Sequence, residues 1–104
     1  MLNNKLETLI GFAIKSGHVV FGYDNLCETR KKIKVVLISN DVNEKNKQKI
    51  LNLCCKKRWV LCLTNDLISE LTHRDNCKVV GITDENMANA ILKLDNLKLV
   101  TEEL

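Results

Sequence analysis

The sequence of 104 residues contains no proline and only four glycines. Since these two residues mark linkers and low-complexity segments, their scarcity predicts a single domain over residues 1–104, although the tail 95–104 gives no clear pattern. The apolar runs are short, and none approaches the roughly 20 residues of a membrane helix. The first residues also lack the pattern of a signal peptide. These absences predict a cytoplasmic protein that makes no contact with membranes.

Cysteine is present, but not in a pattern that indicates a metal or a disulfide. The five cysteines stand at positions 27, 54, 55, 62 and 77, and no CxxC pair occurs. Structural zinc sites usually show two such pairs. The interpretation favoured here is small, buried, apolar side chains in a reducing compartment, with no metal and no cofactor.

Charge is unevenly distributed along the chain. The net charge is only +3, but residues 1–58 hold twelve Lys and Arg against five Asp and Glu, whereas residues 59–104 hold four against eight. The two parts therefore carry +7 and −4. This asymmetry predicts one basic face that suits phosphate groups, although a solvated surface without a partner is the simpler explanation.

Hydrophobic spacing alternates between helical and strand periods along the whole chain. Helices are expected at 3–16, ended by Gly17, at 23–32, at 44–57, capped by Asn43, at a segment that is capped by Thr64 or Asn65 and ends at 71, and at a segment that is capped by residues 83–85 and ends at about 94. Strands are expected at 18–21, 33–38, 59–63 and 78–82, and the tail could add either an edge strand or a docked end. Strict alternation predicts an α/β fold: a three-layer α/β/α sandwich around a small, mixed, mostly parallel four-stranded sheet.

Motifs of catalysis are absent from the sequence. It contains no GxxxxGK[ST] or GxGxxG phosphate loop, no GxSxG elbow and no HExxH. The two histidines, His18 and His73, lie far apart, and no base accompanies any cysteine. Acidic pairs such as Asp84-Glu85 stand at helix starts, where capping explains them. The sequence therefore predicts a protein that is not an enzyme.

Two segments have the character of a binding site. Gly22 stands where a strand meets a helix, and Tyr23, Asp24 and Asn25 form the first helical turn, whose backbone N–H groups can face a phosphate. Basic residues that could contact a sugar-phosphate backbone lie nearby at Lys15, Arg30, Lys31 and Lys32. The simpler explanation of this turn is helix capping.

The second segment is the polar loop 72–76, between a helix and a strand. It consists of Thr72, His73, Arg74, Asp75 and Asn76, of which Arg and His can stack on bases. An ordinary surface loop is the alternative for this segment.

The order of these segments resembles the L7Ae/L30e ribosomal protein family of kink-turn RNA binders, in particular its small bacterial YlxQ-type members. The resemblance covers roughly residues 4–92. It rests on the segments 11–22 (GFAIKSGHVVFG), 35–41 (VVLISND) followed by the helix start at 43–49, 70–76 (ELTHRDN) and 79–84 (VVGITD). Family membership implies the α/β/α sandwich and a cytoplasmic, ribosome-associated monomer that binds rRNA or another kink-turn RNA.

The resemblance also implies which residues contact RNA. They lie in the turn and helix after the first strand and in the loop before the last strand. The predicted RNA-binding residues are Lys15, His18, Gly22, Tyr23, Asp24, Asn25, Glu28, Lys31, Lys32, Thr72, His73, Arg74, Asp75 and Asn76.

One position favours a different function. The family's RNA binders carry Gly-x-Asn-Glu-x-x-Lys after the first strand, and here Glu28 stands in place of the basic residue. Glycines frequent in relatives are also replaced, by Ser69 and His73. The alternative is a protein-interaction module on the same fold that has lost tight RNA binding. Fold alone does not decide between the two.

Overall fold

Helices and strands alternate along the chain. The computed structural model describes residues 5–39, 41–64, 67–94 and 97–99. The helices are α1 (Lys5–Lys15), α2 (Tyr23–Glu28), α3 (Glu44–Lys57), α4 (Ile68–Thr72) and α5 (Glu85–Leu92). The strands are β1 (Val19–Phe21), β2 (Val35–Ser39), β3 (Val60–Thr64), β4 (Val79–Ile82) and β5 (Leu97–Leu99).

The strands form one mixed sheet in the order β1-β4-β2-β3-β5. Only β2 and β3 pair in parallel, with Val35 opposite Val60. The β1–β4, β2–β4 and β3–β5 pairs are antiparallel. The predicted α/β class and mixed sheet are confirmed, but the expectation of mostly parallel pairing is wrong. The fifth strand, β5, comes from the tail, for which an edge strand is one of the two structures that the sequence allows.

Helices cover both faces of the sheet, which confirms the three-layer sandwich. On one face α1, α4 and α5 pack against the sheet, with Leu6, Ile10 and Ile91 buried there. On the other face α2 and α3 pack, with Leu26 and Ile50 buried. The five residues of β2 are all buried, because this strand is central and covered on both sides.

Several predicted helix boundaries are confirmed by their caps. Gly17 ends α1 with φ of 75°, and His18 N–H donates to the carbonyl of Ala13, as in a Schellman motif. The side chain of Asn43 accepts from Asn46 N–H at the start of α3, and that of Asp84 accepts from Met87 N–H at the start of α5. The last of these confirms capping as the role of Asp84.

Three helices are shorter than the sequence predicts, and of these α5, expected to reach residue 94, ends at Leu92. Helix α2 ends at Glu28, because Thr29 is extended and its hydroxyl accepts from Lys31 N–H. A threonine that bonds the backbone in this way competes with helical hydrogen bonds. Helix α4 begins only at Ile68, and the predicted cap Thr64 belongs to β3. The other predicted cap, Asn65, lies outside the described residues.

The cysteines differ in burial, so the prediction that they are all buried is only partly right. All five thiols are free, Cys54 and Cys62 are buried, and Cys77 is half-buried, but Cys27 and Cys55 are exposed. Burial, reinforced by the neighbouring Cys55, raises the pKa of Cys54 to about 12. Cys54 therefore remains a neutral thiol in the core.

No helix within the described segments combines the length and the apolar character needed to cross a membrane.

Candidate functional site

A cavity of about 500 Å³ opens at the end of the sheet where β1 ends and β4 begins. Its wall combines the turn before α2, the first half of α3 and the residues that lead into β4. The lining residues are Phe21, Gly22, Tyr23, Asp24, Asn25, Val42, Asn46, Lys49, Ile50, Asn76, Cys77, Lys78 and Val79. The fold thus brings the predicted turn and the end of the predicted loop to one site.

Gly22 fixes the turn that forms one side of the cavity. Its φ is 84° and its ψ is 154°, a conformation found almost only in glycine and costing a residue with a Cβ roughly 1–3 kcal/mol. Its N–H donates to the carbonyl of Val79 over 3.1 Å, and its carbonyl accepts from Leu26 N–H. The side-chain amide of Asn25 donates to the carbonyl of Phe21 over 2.8 Å. These bonds hold the start of α2 against β4.

Two cations stand over aromatic rings beside the cavity. The Arg74 guanidinium carbon lies 4.2 Å from the centre of the Phe21 ring, and Lys49 Nζ lies 4.6 Å from that of Tyr23. Such contacts contribute about 0.5–1 kcal/mol at exposed positions. They also hold both charges near the cavity, where an anion or a stacked base can meet them.

The residues of the loop 72–76 have different roles. Thr72 ends α4 and is buried, and its hydroxyl donates to the carbonyl of Ile68, which leaves its side chain no surface for a ligand. His73 and Asn76 have φ of 57° and 62°, so the backbone turns sharply without glycine. His73 faces Glu7 of α1 at 4.0 Å, whereas Arg74 turns toward the cavity. Asp75 is exposed.

Tyr23 stays a neutral phenol beside the cavity. A hydrogen bond with the Cys27 side chain is the main cause that raises the pKa of Tyr23 above its ordinary value, and partial burial adds to it. The ring therefore offers Lys49 and any bound base an uncharged aromatic face.

Asp41 ties the end of β2 to the start of β4 below the cavity. Its carboxylate accepts from the Ser39 hydroxyl and, over 3.0 Å, from Lys78 Nζ. The Ser39 hydrogen bond, followed by that of Lys78, lowers the pKa of Asp41 below its usual value of 3.8. This contact neutralises Lys78, so Lys49 and Arg74 are the cations available to a ligand.

Replacing Asp41 with Asn is expected to cost about 1 kcal/mol at neutral pH, a value discounted for the exposure of the pair. Because folding lowers the pKa of this carboxyl, its contribution is complete above the unfolded value, about 3.9, and is lost as pH falls through the folded value. Urea unfolding of both proteins at pH 6 and pH 3 should show the difference shrink at pH 3. A difference that does not change with pH would mean that ionisation of Asp41 contributes nothing.

A second group of predicted residues lies at the opposite end of the sheet. His18 precedes β1 and hydrogen-bonds Ser16 through Nδ1, and Lys31 Nζ donates to the carbonyl of Gly17. The three residues of β1 separate His18 from Gly22, and the four residue steps between the two correspond to about 13 Å. Exposed Lys15 ends α1, exposed Glu28 ends α2, and exposed Lys32 follows α2, so the predicted set does not form a single patch.

The sequence did not predict the part of the site that comes from α3. Asn46 and Lys49 line the cavity, as do Val42 and the flanking Lys78. The signal in the sequence is helical spacing. Asn46 lies one turn before the buried Ile50, and Lys49 is the residue directly before it. No local motif marks them, since they meet Gly22 only through packing of α3 on the sheet. Within the described residues, no three His, Cys, Asp or Glu side chains group as a metal site requires.

The chain combines a three-layer α/β/α sandwich with a cavity that is flanked by cations and lined by aromatic and amide residues. The chain belongs to the ribosomal protein L7Ae/L30e/S12e/Gadd45 family, whose model matches residues 4–92. This confirms the family resemblance, and membership indicates an RNA-binding protein of the ribosomal type.

A solved structure shares the fold. It is a protein of unknown function from Bacillus halodurans C, with a TM-score of 0.75 and 16% sequence identity, over 85% of this chain and 93% of that one. No curated protein matches the chain.

Proposed function

We propose that the chain binds structured RNA of the kink-turn kind, without catalysis, through the cavity between α2, α3 and the start of β4. The observation that carries the proposal is the combination at this cavity of two cation–aromatic pairs with three carboxamides. Arg74 stands over Phe21 and Lys49 over Tyr23, and the residues Asn25, Asn46 and Asn76 are among those that line the space.

This chemistry suits an unpaired base. Bases that leave a helix stack on aromatic rings or on the guanidinium plane, and they are recognised by hydrogen bonds to their edges. Carboxamides both donate and accept, so they can bond such edges. Lys49 and Arg74 also supply charge for the adjoining phosphates. A continuous duplex offers no such base, which is why a kinked RNA with unpaired nucleotides is the ligand proposed.

The position of Glu28 weighs against the protein-interaction alternative. Glu28 is at the last position of α2, about 6 Å along the helix axis from Asp24, and it does not line the cavity. The negative charge of Glu28 therefore lies farther from an RNA bound at the cavity than the sequence pattern implies. We place the chain in the cytoplasm as a ribosome-associated monomer, among the small bacterial YlxQ-type members of its family.

A gel-shift titration tests the proposal. The wild-type chain is expected to bind a kink-turn RNA, and binding should strengthen as salt falls, because phosphate contacts release counterions. A duplex of equal length without the kink should bind at least about tenfold more weakly. Absence of any shift at low salt would reject the proposal. Cytosolic partners that survive RNase treatment in a pull-down, together with that absence, would support the protein-interaction alternative.

A further inference from the structure

One side of α3 carries a row of exposed residues that includes three lysines, and of these only Lys49 lines the cavity. Helix α3 buries Ile50, Leu53 and Cys54 against the sheet. At about 100° per residue, four exposed residues align within a sector of about 60°, roughly 120° around the helix axis from the centre of the buried stripe. These residues are Lys45, Lys49, Asn52 and Lys56.

The lysines of this row are not paired with acids along the helix. Lys45 and Lys49 are four residues apart, and Asn52, which stands four residues before Lys56, accepts a hydrogen bond from Gln48. The only acidic residue in α3 is Glu44, outside the row. Like charges at this spacing destabilise a helix, whereas surface lysines are commonly balanced by Glu at the same spacing. An anionic partner would offset this repulsion.

The row begins at the cavity and leads away from it. Lys49 lines the cavity and stands over Tyr23, so it belongs to both surfaces. From Lys45 to Lys56 the helix rises about 16 Å. At its far end α3 is followed by Arg58 and by β3, whose Val60 pairs with Val35 of β2.

That far end is also where the second group of predicted cations lies. Because β2 and β3 are parallel, the segment 29–34 that leads into β2 lies at the same end of the sheet as the end of α3. Lys31 and Lys32 belong to this segment. The lysine row therefore connects the cavity with cations that would otherwise lie apart from it.

We propose that Lys45 and Lys56, continuing from Lys49, bind the phosphates of a helical stem of the RNA whose unpaired base occupies the cavity. This inference rests on the proposed function. Lysine acts as a point charge on a flexible chain and has no planar group that reads bases. The contact is therefore with the backbone, is independent of stem sequence, and requires a stem long enough to follow α3.

The test combines a protein variant with a change in RNA length. The variant Lys45→Glu/Lys56→Glu leaves the cavity residues intact. It is titrated with a kink-turn RNA carrying long stems and with the same RNA whose stems are trimmed to a few base pairs. We expect about tenfold weaker binding of the long-stem RNA and less than a twofold change for the trimmed RNA. The slope of log affinity against log salt for the long-stem RNA should fall by about two, near 0.9 per lost contact.

A matched control has the same change of charge on the other face of the sheet. Lys5→Glu/Lys93→Glu alters exposed residues of α1 and the end of α5, and it is expected to leave both affinities unchanged. The milder Lys45→Gln/Lys56→Gln should fall between the wild type and the charge-reversed variant. Circular dichroism and the thermal midpoint should match the wild type for every variant, since all the substituted side chains are exposed.

The outcomes separate this inference from the function on which it rests. Wild-type protein that binds neither RNA rejects the proposed function itself. Wild-type protein that binds both RNAs, with a Lys45→Glu/Lys56→Glu variant that loses nothing or loses equally for both, overturns only the role of α3. A loss confined to the long-stem RNA supports it.

Discussion

A chain that carries Lys49→Glu together with Arg74→Glu is expected to bind a kink-turn RNA at least about 100-fold more weakly than the wild type. Each change replaces a cation held over an aromatic ring with an anion beside the phosphates. An arginine contact to nucleic acid contributes about 1–3 kcal/mol, and a lysine–phosphate contact adds a salt-dependent part. The two losses together correspond to about 3 kcal/mol or more, which is about 100-fold.

The measurement is a fluorescence-anisotropy titration at two salt concentrations. Lys5→Glu/Lys93→Glu, which makes the same change of charge away from the cavity, should bind as the wild type does. Arg74→Lys retains the charge but removes the plane that stacks, so we expect an intermediate loss of about three- to tenfold. Thermal midpoints show that the variants are folded. If the double variant binds within threefold of the wild type, the cavity is not the RNA site.

The architecture was largely predictable from the sequence because the determinants of its elements are local. Residues 35–38 form an apolar run that only a covered strand accommodates, and Gly17, Asn43 and Asp84 end or begin helices by well-defined hydrogen bonds. Each of these signals acts within a few residues. That is why helix α3 was predicted with its bounds, whereas the short α2 and α4, which depend on single competing hydrogen bonds, were not.

Strand direction was not predictable in the same way. Alternation favours parallel strands, but a parallel connection must carry the chain back along the whole strand. Helix α4 has five residues, about 7.5 Å, whereas β3 is about 16 Å long. The chain leaves β3 and enters β4 at the same end of the sheet, and β4 runs antiparallel to β2. Helix α4 does not span β3, and the alternation of helices and strands does not record at which end the chain re-enters the sheet, so it leaves strand direction open.

The binding site shows the same division between local and distant determinants. Gly22 and the loop 72–76 were identified from local chemistry, and the antiparallel β1–β4 pair brings them together. The contribution of α3 arises only when its buried stripe docks on the sheet, so it was missed. Conversely, His18 is close to Gly22 in sequence but lies at the other end of β1. Each residue along a strand adds about 3.3 Å, so two residues that are close in sequence can lie at opposite ends of a strand. This is why the predicted RNA-binding residues divide into two groups.

Leu26 couples the stability of the fold to the position of the binding turn, and its replacement with Ala should have the largest effect on stability. The Leu26 side chain is 1% exposed and packs between α2 and the sheet. The same helix carries Tyr23 to Asn25. Removing a buried leucine side chain beyond Cβ costs about 2–5 kcal/mol. Urea unfolding measures this loss. Leu92→Ala, which deletes the same atoms from a leucine that is 37% exposed, should cost less than about 1 kcal/mol.

Gly81 supplies the partner for a double-mutant test of that packing. A Cβ at this position of β4 would lie 2.7 Å from Cδ2 of Leu26 and 3.1 Å from Cδ1 of Ile33. Gly81→Ala alone should therefore cost about 1–3 kcal/mol, because the buried Leu26 and Ile33 side chains must move, with or without a shift of α2. In Leu26→Ala/Gly81→Ala the new methyl enters space that the leucine has left. The double variant should be more stable than the sum of the two changes predicts, by about 1 kcal/mol.

Strict additivity of the two substitutions would contradict close packing of α2 on β4 at this point. A favourable coupling would mean that the volume available over Gly81 sets how closely α2 approaches the sheet. Because Tyr23 and Asn25 extend from the same helix, the RNA affinity of Gly81→Ala should also fall, and it should recover in part in the double variant. Recovery of affinity together with stability would show that the position of α2 links the core to the cavity.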